Sequence, residues 1–461
     1  MKLINELKAP SFLQQISWIA NPVSYLENAV KGYPDIFTGR VVGFGGFSSS
    51  LVFVQHPKAL QQIFTNDKKQ FSAPTNGVLK PFLGEHSVGT VEGKRHDQQR
   101  RLLMPPFHGA RLQVYGELIC NVANEIFSQL PIGQSFCATE VMQEITLQVI
   151  LKVVFGLNQG ERYERMKRLS AELLNLFNSP LTAAFLFFPW LQRDLGAWSF
   201  WSRFVRVKQQ IYELLYAELC ERRQQADLER NDILSLLLSA RDEEGNPMTD
   251  EELRDELMSL MLGGHDTTAT ATSWAFYWSH HFPEVREKLL QELATLGDSL
   301  DPMSIARLPY LSAFCNETLR IYPVSLLTLQ RRVEEPVELL GHRLEPGTDV
   351  VGCIYLLHQR EDLYPQPRQF KPERFLERQF TPFEFMPFGG GTRRCIGEAL
   401  ALFEMKLVLT TILSRYKLAL VDSKPEQVVR RGLTLAPAGS VKMVITGERV
   451  QPKQLIEAIG S

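Results

Sequence analysis

The sequence predicts a mainly α-helical body carrying a small strand-rich lobe. Three observations point there: a helix with a strong start signal at Thr249, long helical stretches at 110–170 and 203–240, and strand-like pieces at 37–54, 335–354 and 430–447. In chain order, the 37–54 piece sets glycines among Val41, Val42, Phe44, Phe47, Leu51, Phe53 and Val54, as a hairpin would. Its Gly43-Phe44-Gly45-Gly46 run is a poor dinucleotide loop, because strand signals follow it where a helix is required. The two long helical stretches come next. A turn at Gly245-Asn246-Pro247 then precedes Thr249 and Glu252, which form a capping box, while Asp250 and Glu251 suit the positive end of the helix dipole. This helix is expected to run from Thr249 to His281.

At 461 residues, a guide of about 150 residues per domain would give two or three domains. No Ser/Gly linker, low-complexity tract or internal repeat marks a boundary. A net charge of −2 and a pI near 6.5 give no reason to expect nucleic acid as a partner. The opening is interrupted by Lys2, Glu6 and Lys8, and Pro10 and Pro22 bracket a mixed stretch, whereas a spanning helix needs about twenty apolar residues. No transmembrane anchor is expected. The most apolar run, from Ala183 to Leu191, contains Phe185, Phe187, Phe188 and Trp190 and is too short to span a bilayer. Trp198, Phe200 and Trp201 follow it. Six cysteines, at 120, 137, 220, 315, 353 and 395, show no C-x-x-C pair or zinc spacing, and no secretory signal accompanies them. Five read as buried thiols in a reducing compartment.

Cys395 is the exception. It lies in Pro387-Phe388-Gly389-Gly390-Gly391-Thr392-Arg393-Arg394-Cys395-Ile396-Gly397. A sulfur that stays deprotonated needs positive charge or N–H donors around it, and glycines let the backbone curl close enough to supply them. Gly391 and Gly397 flank the sulfur, Phe388 can lie against a flat apolar partner, and Arg393 suits a carboxylate. The implied guest is flat, apolar and carboxylated. Iron porphyrin with its two propionates fits, and thiolate is a known proximal ligand of haem iron. A phosphate loop is excluded by the missing Gly-Lys-Ser/Thr ending.

Within the 249–281 helix, Gly263-Gly264-His265-Asp266-Thr267-Thr268 sets two glycines and an acid in an apolar stretch. Each glycine costs the helix about 1 kcal/mol relative to alanine. Missing side chains at 263 and 264 open a groove beside the helix, and Asp266-Thr267 bring an acid and a hydroxyl to it, a pair able to relay protons to a bound oxygen species. Glu317 and Arg320 share a helix face at i, i+3, which alone suggests a surface ion pair. In the charged run 93–101, His96 and Arg100 also share a face.

The F-x-x-G-x-R-x-C-x-G spacing resembles the haem-binding loop of the cytochrome P450 superfamily, and the other segments agree. Gly263 to Thr268 resembles the oxygen-activating motif, which implies Asp266 as proton-delivery acid and Thr267 as oxygen-proximal hydroxyl. Glu317-Thr318-Leu319-Arg320 with Pro372-Glu373-Arg374-Phe375 resembles the E-x-x-R and P-E-R-F pair, implying a structural charge cluster of Glu317, Arg320 and Arg374. His96 and Arg100 resemble the pair aimed at a haem propionate, with Arg331 and Arg393 as further candidates. Most members carry Trp at the 96 position, so His96 is a departure. The resemblance covers nearly the whole chain. It implies a single catalytic domain over 1–461, an α-helical prism around haem b with Cys395 as axial thiolate, and no fused reductase. Val324-Ser325-Leu326-Leu327-Thr328-Leu329 would run over the haem, with Leu326, Leu327, Thr328 and the lid residue Phe187 as substrate contacts.

The implied activity is monooxygenation: hydroxylation or epoxidation of an apolar substrate such as a fatty acid, alkane or terpene, using O2. A separate ferredoxin or flavodoxin with an NAD(P)H reductase would supply electrons, docking on Lys94, Arg95, Arg101 and Arg394. A cytoplasmic, soluble monomer is expected, with its aromatic lid able to touch a membrane surface. The alternatives are an isomerase or dehydratase that needs no O2, whose relatives tend to lose the acid–threonine pair, and a haem sensor without turnover.

Overall fold

A computed structural model describes residues 4–42, 49–74, 77, 79–176, 185, 188, 191–194, 196, 198–224, 230–297, 301–422, 424–432 and 434–449. The Gly43-Phe44-Gly45-Gly46 run and Phe187 lie outside the described residues. Helices dominate, and the strands collect into small sheets.

The predicted hairpin is Ile36–Val41 paired antiparallel with Ser49–Val54, Ile36 opposite Val54 and Val41 opposite Ser49. Ser49–Val54 then pairs parallel with Asp349–Gly352, and Arg331–Val333 and Phe71–Ser72 complete a five-stranded sheet. The 335–354 piece thus supplies both this central strand and a separate hairpin, Val337–Leu339 with His342–Leu344. The 430–447 piece likewise divides, into a strand of the Val428–Arg431/Thr434–Pro437 hairpin and the strand Lys442–Glu448, which pairs with Ser135–Cys137 and Tyr416–Leu420.

The 110–170 stretch is three helices, Ala110–Ser128, Ala138–Val153 and Glu161–Asn175. The 203–240 stretch is the long helix Phe200–Gln224 followed by the short Ile233–Ser239, which Asp232 caps through the Ser235 amide at 2.8 Å. The capping box at Thr249 forms in both directions, Glu252 N–H to Thr249 Oγ1 at 3.2 Å and Thr249 N–H to Glu252 Oε2 at 2.9 Å.

The helix expected over Thr249–His281 is instead two helices, Asp250–Gly264 and Asp266–His281, broken at His265, whose ψ of −77° lies off the helical value. The physical reason is local. Two glycines weaken the ladder before the break, and the Thr267 hydroxyl donates to the Gly263 carbonyl at 2.5 Å, the kind of back-bond that bends helices. The second half is buried from Thr268 to His280 and packs against Ala138–Val153, Pro309–Ile321 and Glu398–Arg415. Two of its buried hydroxyls bond back within the helix, Thr272 on the Thr268 carbonyl at 2.8 Å and Ser273 on the Ala269 carbonyl at 2.7 Å, while Thr270 Oγ1 is buried without a partner. A helix buried all round is a core helix. It holds one wall of the site rigid.

Candidate active site

The cysteine loop is tied by three backbone bonds: Gly389 N–H to Met386 O at 3.0 Å, Arg394 N–H to Gly391 O at 3.1 Å, and Cys395 N–H to Phe388 O at 3.0 Å. Gly391 has φ +66°, and a Cβ there would stand 2.1 Å from Asp67 Oδ2. Asp67 is the staple of the loop. Its Oδ2 accepts from the Thr392 amide at 2.7 Å, the Thr392 hydroxyl at 3.0 Å and Arg331 Nη2 at 3.2 Å.

Cys395 sits just before the N-terminus of Glu398–Arg415, where N–H groups and the helix dipole favour an anion. Its side chain opens onto a cavity yet is ringed by protein. Burial therefore raises its pKa, while the Gly397 amide and the Arg100 and Arg394 charges pull the other way.

That cavity, of about 410 Å³, joins the candidate segments. Phe388, Cys395, Ile396, Gly397 and Leu400 form one wall, and Gly263, Gly264, Thr267, Thr268 and Ala271 form another. Among the described residues Cys395 is the cysteine that lines it. The two glycines do different jobs. Gly263 has open space where a Cβ would be, whereas a Cβ on Gly264 would come within 2.6 Å of Ile150, so that glycine also serves close helix packing. Thr267 lines the cavity. Asp266 does not, and its Oδ1 accepts from Gln143 Nε2 at 2.9 Å.

His96, Arg100 and Arg393 line the cavity as well. Burial, reinforced by the Arg393 charge, lowers the His96 pKa to about 4, so it is a neutral imidazole. The Arg393 pKa is pulled down to about 10, by burial first and then by Arg331 and Arg100. Its guanidinium donates to the carbonyls of Val88 and Val91 at 2.7 Å and of Ala73 at 3.0 Å. Arg331 lies one layer back: it does not line the cavity, it pairs with Asp67, and its Nε is buried without a partner. Cations crowded until they depress one another are stabilised by an anionic guest.

Behind the site, Glu317, Arg320 and Arg374 come together, all buried. Glu317 accepts from Arg320 at 2.6 and 2.8 Å, from Arg374 Nε at 3.2 Å and from the Lys371 amide at 2.8 Å. Arg374 also binds the Pro365, Gln366 and Gln369 carbonyls, and Arg320 the His358 carbonyl at 2.8 Å. His358 Nε2 in turn accepts the Met386 amide at 3.0 Å, at the start of the cysteine loop.

Of the proposed substrate contacts, Leu327 and Thr328 line the cavity, as do Val324 and Ser325. Leu326 does not; it packs in the N-terminal core with Trp18, Leu51 and Phe53. The Thr328 hydroxyl is committed to backbone, accepting from Gly352 N–H at 2.9 Å and donating to Leu329 O at 3.1 Å. The basic patch is largely self-neutralised: Arg95 pairs with Glu252 at 3.0 Å, Arg394 with Glu398 at 2.7 Å, and Arg101 with Glu243. Glu404 also lines the cavity; burial pushes its carboxyl up to about 8, and its Oε1 has no partner. No helix among the described residues is long and apolar enough to cross a membrane.

A thiol at a helix N-terminus, facing a broken helix with a hydroxyl across an apolar cavity rimmed by arginines, defines a haem-thiolate site. Haem b fits the donor set: sulfur for the iron, flat apolar walls for the ring and crowded guanidiniums for the propionates. The family model described as Cytochrome P450 matches residues 11–443. The provisionally named cytochrome P450 135B1 of Mycobacterium tuberculosis is 34% identical over 439 residues, covering 95% of this chain and 90% of its own. Cytochrome P450 135A1 of the same species, also provisionally named, is 33% identical over 445 residues, covering 96% and 95%. The solved structure of retinoic acid-bound cyanobacterial CYP120A1 has the same fold, with a TM-score of 0.83 at 21% identity over 97% of this chain and all of that one. The chain belongs to the cytochrome P450 family. It is a haem b oxidoreductase of the monooxygenase class, using O2 and electrons from redox partners, with a cysteine thiolate as the axial ligand.

Proposed function

We propose that Cys395 is the axial thiolate and that the enzyme hydroxylates or epoxidises an apolar substrate of the fatty acid, alkane or terpene kind, with electrons from a separate ferredoxin or flavodoxin and its NAD(P)H reductase. One observation carries this: Cys395, Gly263, Gly264 and Thr267 line a single cavity. Bound there, haem b supplies dioxygen activation, which electron donation from thiolate favours. The chain's own residues do the rest. Arg100 and Arg393, with neutral His96 as a hydrogen-bonding neighbour, would hold the propionates, and Arg331 would stiffen the loop behind them. Val324, Leu327 and Ala271 keep water out of the substrate space. Thr267 holds a proton at Oγ1, and Asp266, anchored by Gln143, supplies the next proton on the helix. Glu317, Arg320 and Arg374 fix the loop that carries the sulfur. Retention of Asp266 and Thr267 favours this reading over isomerase or dehydratase chemistry. A cytoplasmic monomer is the expected form.

The test is the carbon monoxide difference spectrum of the dithionite-reduced protein beside Cys395→Ala. A strongly red-shifted Soret band in the parent, absent from the variant, supports the assignment; a histidine-type spectrum in the parent overturns it. Thr267→Ala then separates the chemistries, since a monooxygenase loses product formed per reductant consumed and an isomerase turns over unharmed without reductant.

A further inference from the structure

The part of the cavity wall made by Val88 and Gly89 is suspended between two polar anchors. On one side, side chains along Asp250–Gly264 take hold of it. Asp255 Oδ2 accepts the His86 amide at 3.0 Å, Glu256 Oε1 accepts the Val88 amide at 2.7 Å, and Ser259 Oγ lies 2.6 Å from Ser87 Oγ. On the other side, Arg393 donates to the Val88 and Val91 carbonyls, both at 2.7 Å. The two polar groups of the Val88 backbone are therefore divided, its N–H on a carboxyl and its C=O on a guanidinium that lines the cavity. Asp255 and Glu256 are fully buried. The strap begins at Gly84, where φ is +83° and a Cβ would meet the Asp255 carboxyl at 2.1 Å, so the chain presses directly on this anchor. Burial pushes the Glu256 carboxyl well above the usual range, and its Oε2 has no partner.

We propose that Glu256 is a positioning residue that pins the Val88–Gly89 wall against Arg393 and thereby sets the width of the substrate space. It touches neither substrate nor cofactor and acts through the Val88 peptide. The inference rests on reading the cavity as the haem and substrate site. A buried N–H that loses its acceptor is left unsatisfied. The Val88 peptide is then held only through its carbonyl, by Arg393, and its local opening becomes easier although Asp255 and Ser259 still hold His86 and Ser87.

The test compares the holoenzyme with Glu256→Gln and Glu256→Leu by two readouts. One is amide hydrogen exchange of the peptide covering 84–91. The other is the ratio of dissociation constants for imidazole and 4-phenylimidazole, haem ligands that differ in the room they need. In Glu256→Leu, exchange is expected to accelerate at least about tenfold, because the Val88 amide has lost its acceptor, and the ligand ratio to shift at least about fivefold as the wall moves. Glu256→Gln, which has the same shape and keeps an oxygen to accept the Val88 amide, should stay within about twofold of the parent in both. If Glu256→Leu does not fold, Glu256→Asp, which withdraws the acceptor by one methylene, should move both readouts the same way. A haem-loaded Leu or Asp variant with parental exchange and ratio overturns the inference, as does a Gln variant as perturbed as Leu. Failure of the haem-thiolate reading appears separately, in the parent's carbon monoxide spectrum, and the exchange readout still applies to that protein.

Discussion

Replacing Glu317 by alanine removes the one acid that two buried arginines share. Arg320 and Arg374 stay in place, held by backbone carbonyls, with three hydrogen bonds to carboxylate deleted. Breaking a buried ion pair from one side costs ~3–5 kcal/mol. The Lys371 amide also loses its acceptor, for another ~1–3 kcal/mol. Against the ~5–15 kcal/mol of a typical folded protein, that is enough to leave little native protein at growth temperature. The assay is haem absorbance per mole of purified protein, with urea unfolding followed by circular dichroism. Glu317→Ala is expected to yield haem-free or aggregated protein. Glu317→Gln, which keeps an oxygen for the arginines but no charge, falls between. A haem-loaded Glu317→Ala with the parent's urea midpoint would refute the reasoning, because the cluster would then carry no net stability.

Gly391→Ala forces a side chain into a left-handed conformation and onto Asp67, so haem occupancy on expression should drop severely. His358 accepts the Met386 amide as a neutral imidazole, and burial, then Arg320, lowers its pKa to about 3. Below about pH 6.5 the unfolded chain binds a proton that the folded one refuses, so stability is lost between pH 6.5 and 3 at up to ~1.4 kcal/mol per pH unit. Urea titrations across that window should show a shallower slope for His358→Gln, and an unchanged slope would exclude this histidine as the cause. Because Arg95, Arg101 and Arg394 are ion-paired within the chain, electron delivery from an acidic carrier should slow only mildly between low and physiological salt. Removing Glu243 and Glu398 should steepen that dependence in stopped-flow reduction.

The sequence made some of this architecture readable and hid the rest for a physical reason. The cysteine loop is contiguous, so its glycines, arginines and sulfur show their spacing directly, and the Thr249 capping box is local in the same way. Glu317, Arg320 and Arg374 became legible only because a family resemblance supplied the pairing; their spacing alone suggested a surface contact. Asp67 gave no signal, being a single acid before two lysines, 325 residues from the Thr392 amide it binds. Gln143, Glu256 and His358 were invisible for the same reason, since each acts across the fold on a backbone group or a distant side chain. The break at His265 was half legible. The glycines announced a weak ladder, but the threonine back-bond that goes with the bend has no linear signature. Resemblance places the whole 324–329 tract over the haem, Leu326 included, yet the turn of the chain directs Leu326 away from the cavity and into the core with Trp18, Leu51 and Phe53.

The Thr267 back-bond also fixes a polarity. A hydroxyl has one proton to give, and here it is given to Gly263 O. Toward the cavity Thr267 therefore offers lone pairs, welcoming a guest that brings its own O–H or N–H. A guest with acceptors alone meets an unresponsive oxygen until that bond is broken, and breaking it releases the bent segment of helix as well. The chemistry presented to the cavity and the shape of the helix are thus set by the same hydrogen atom.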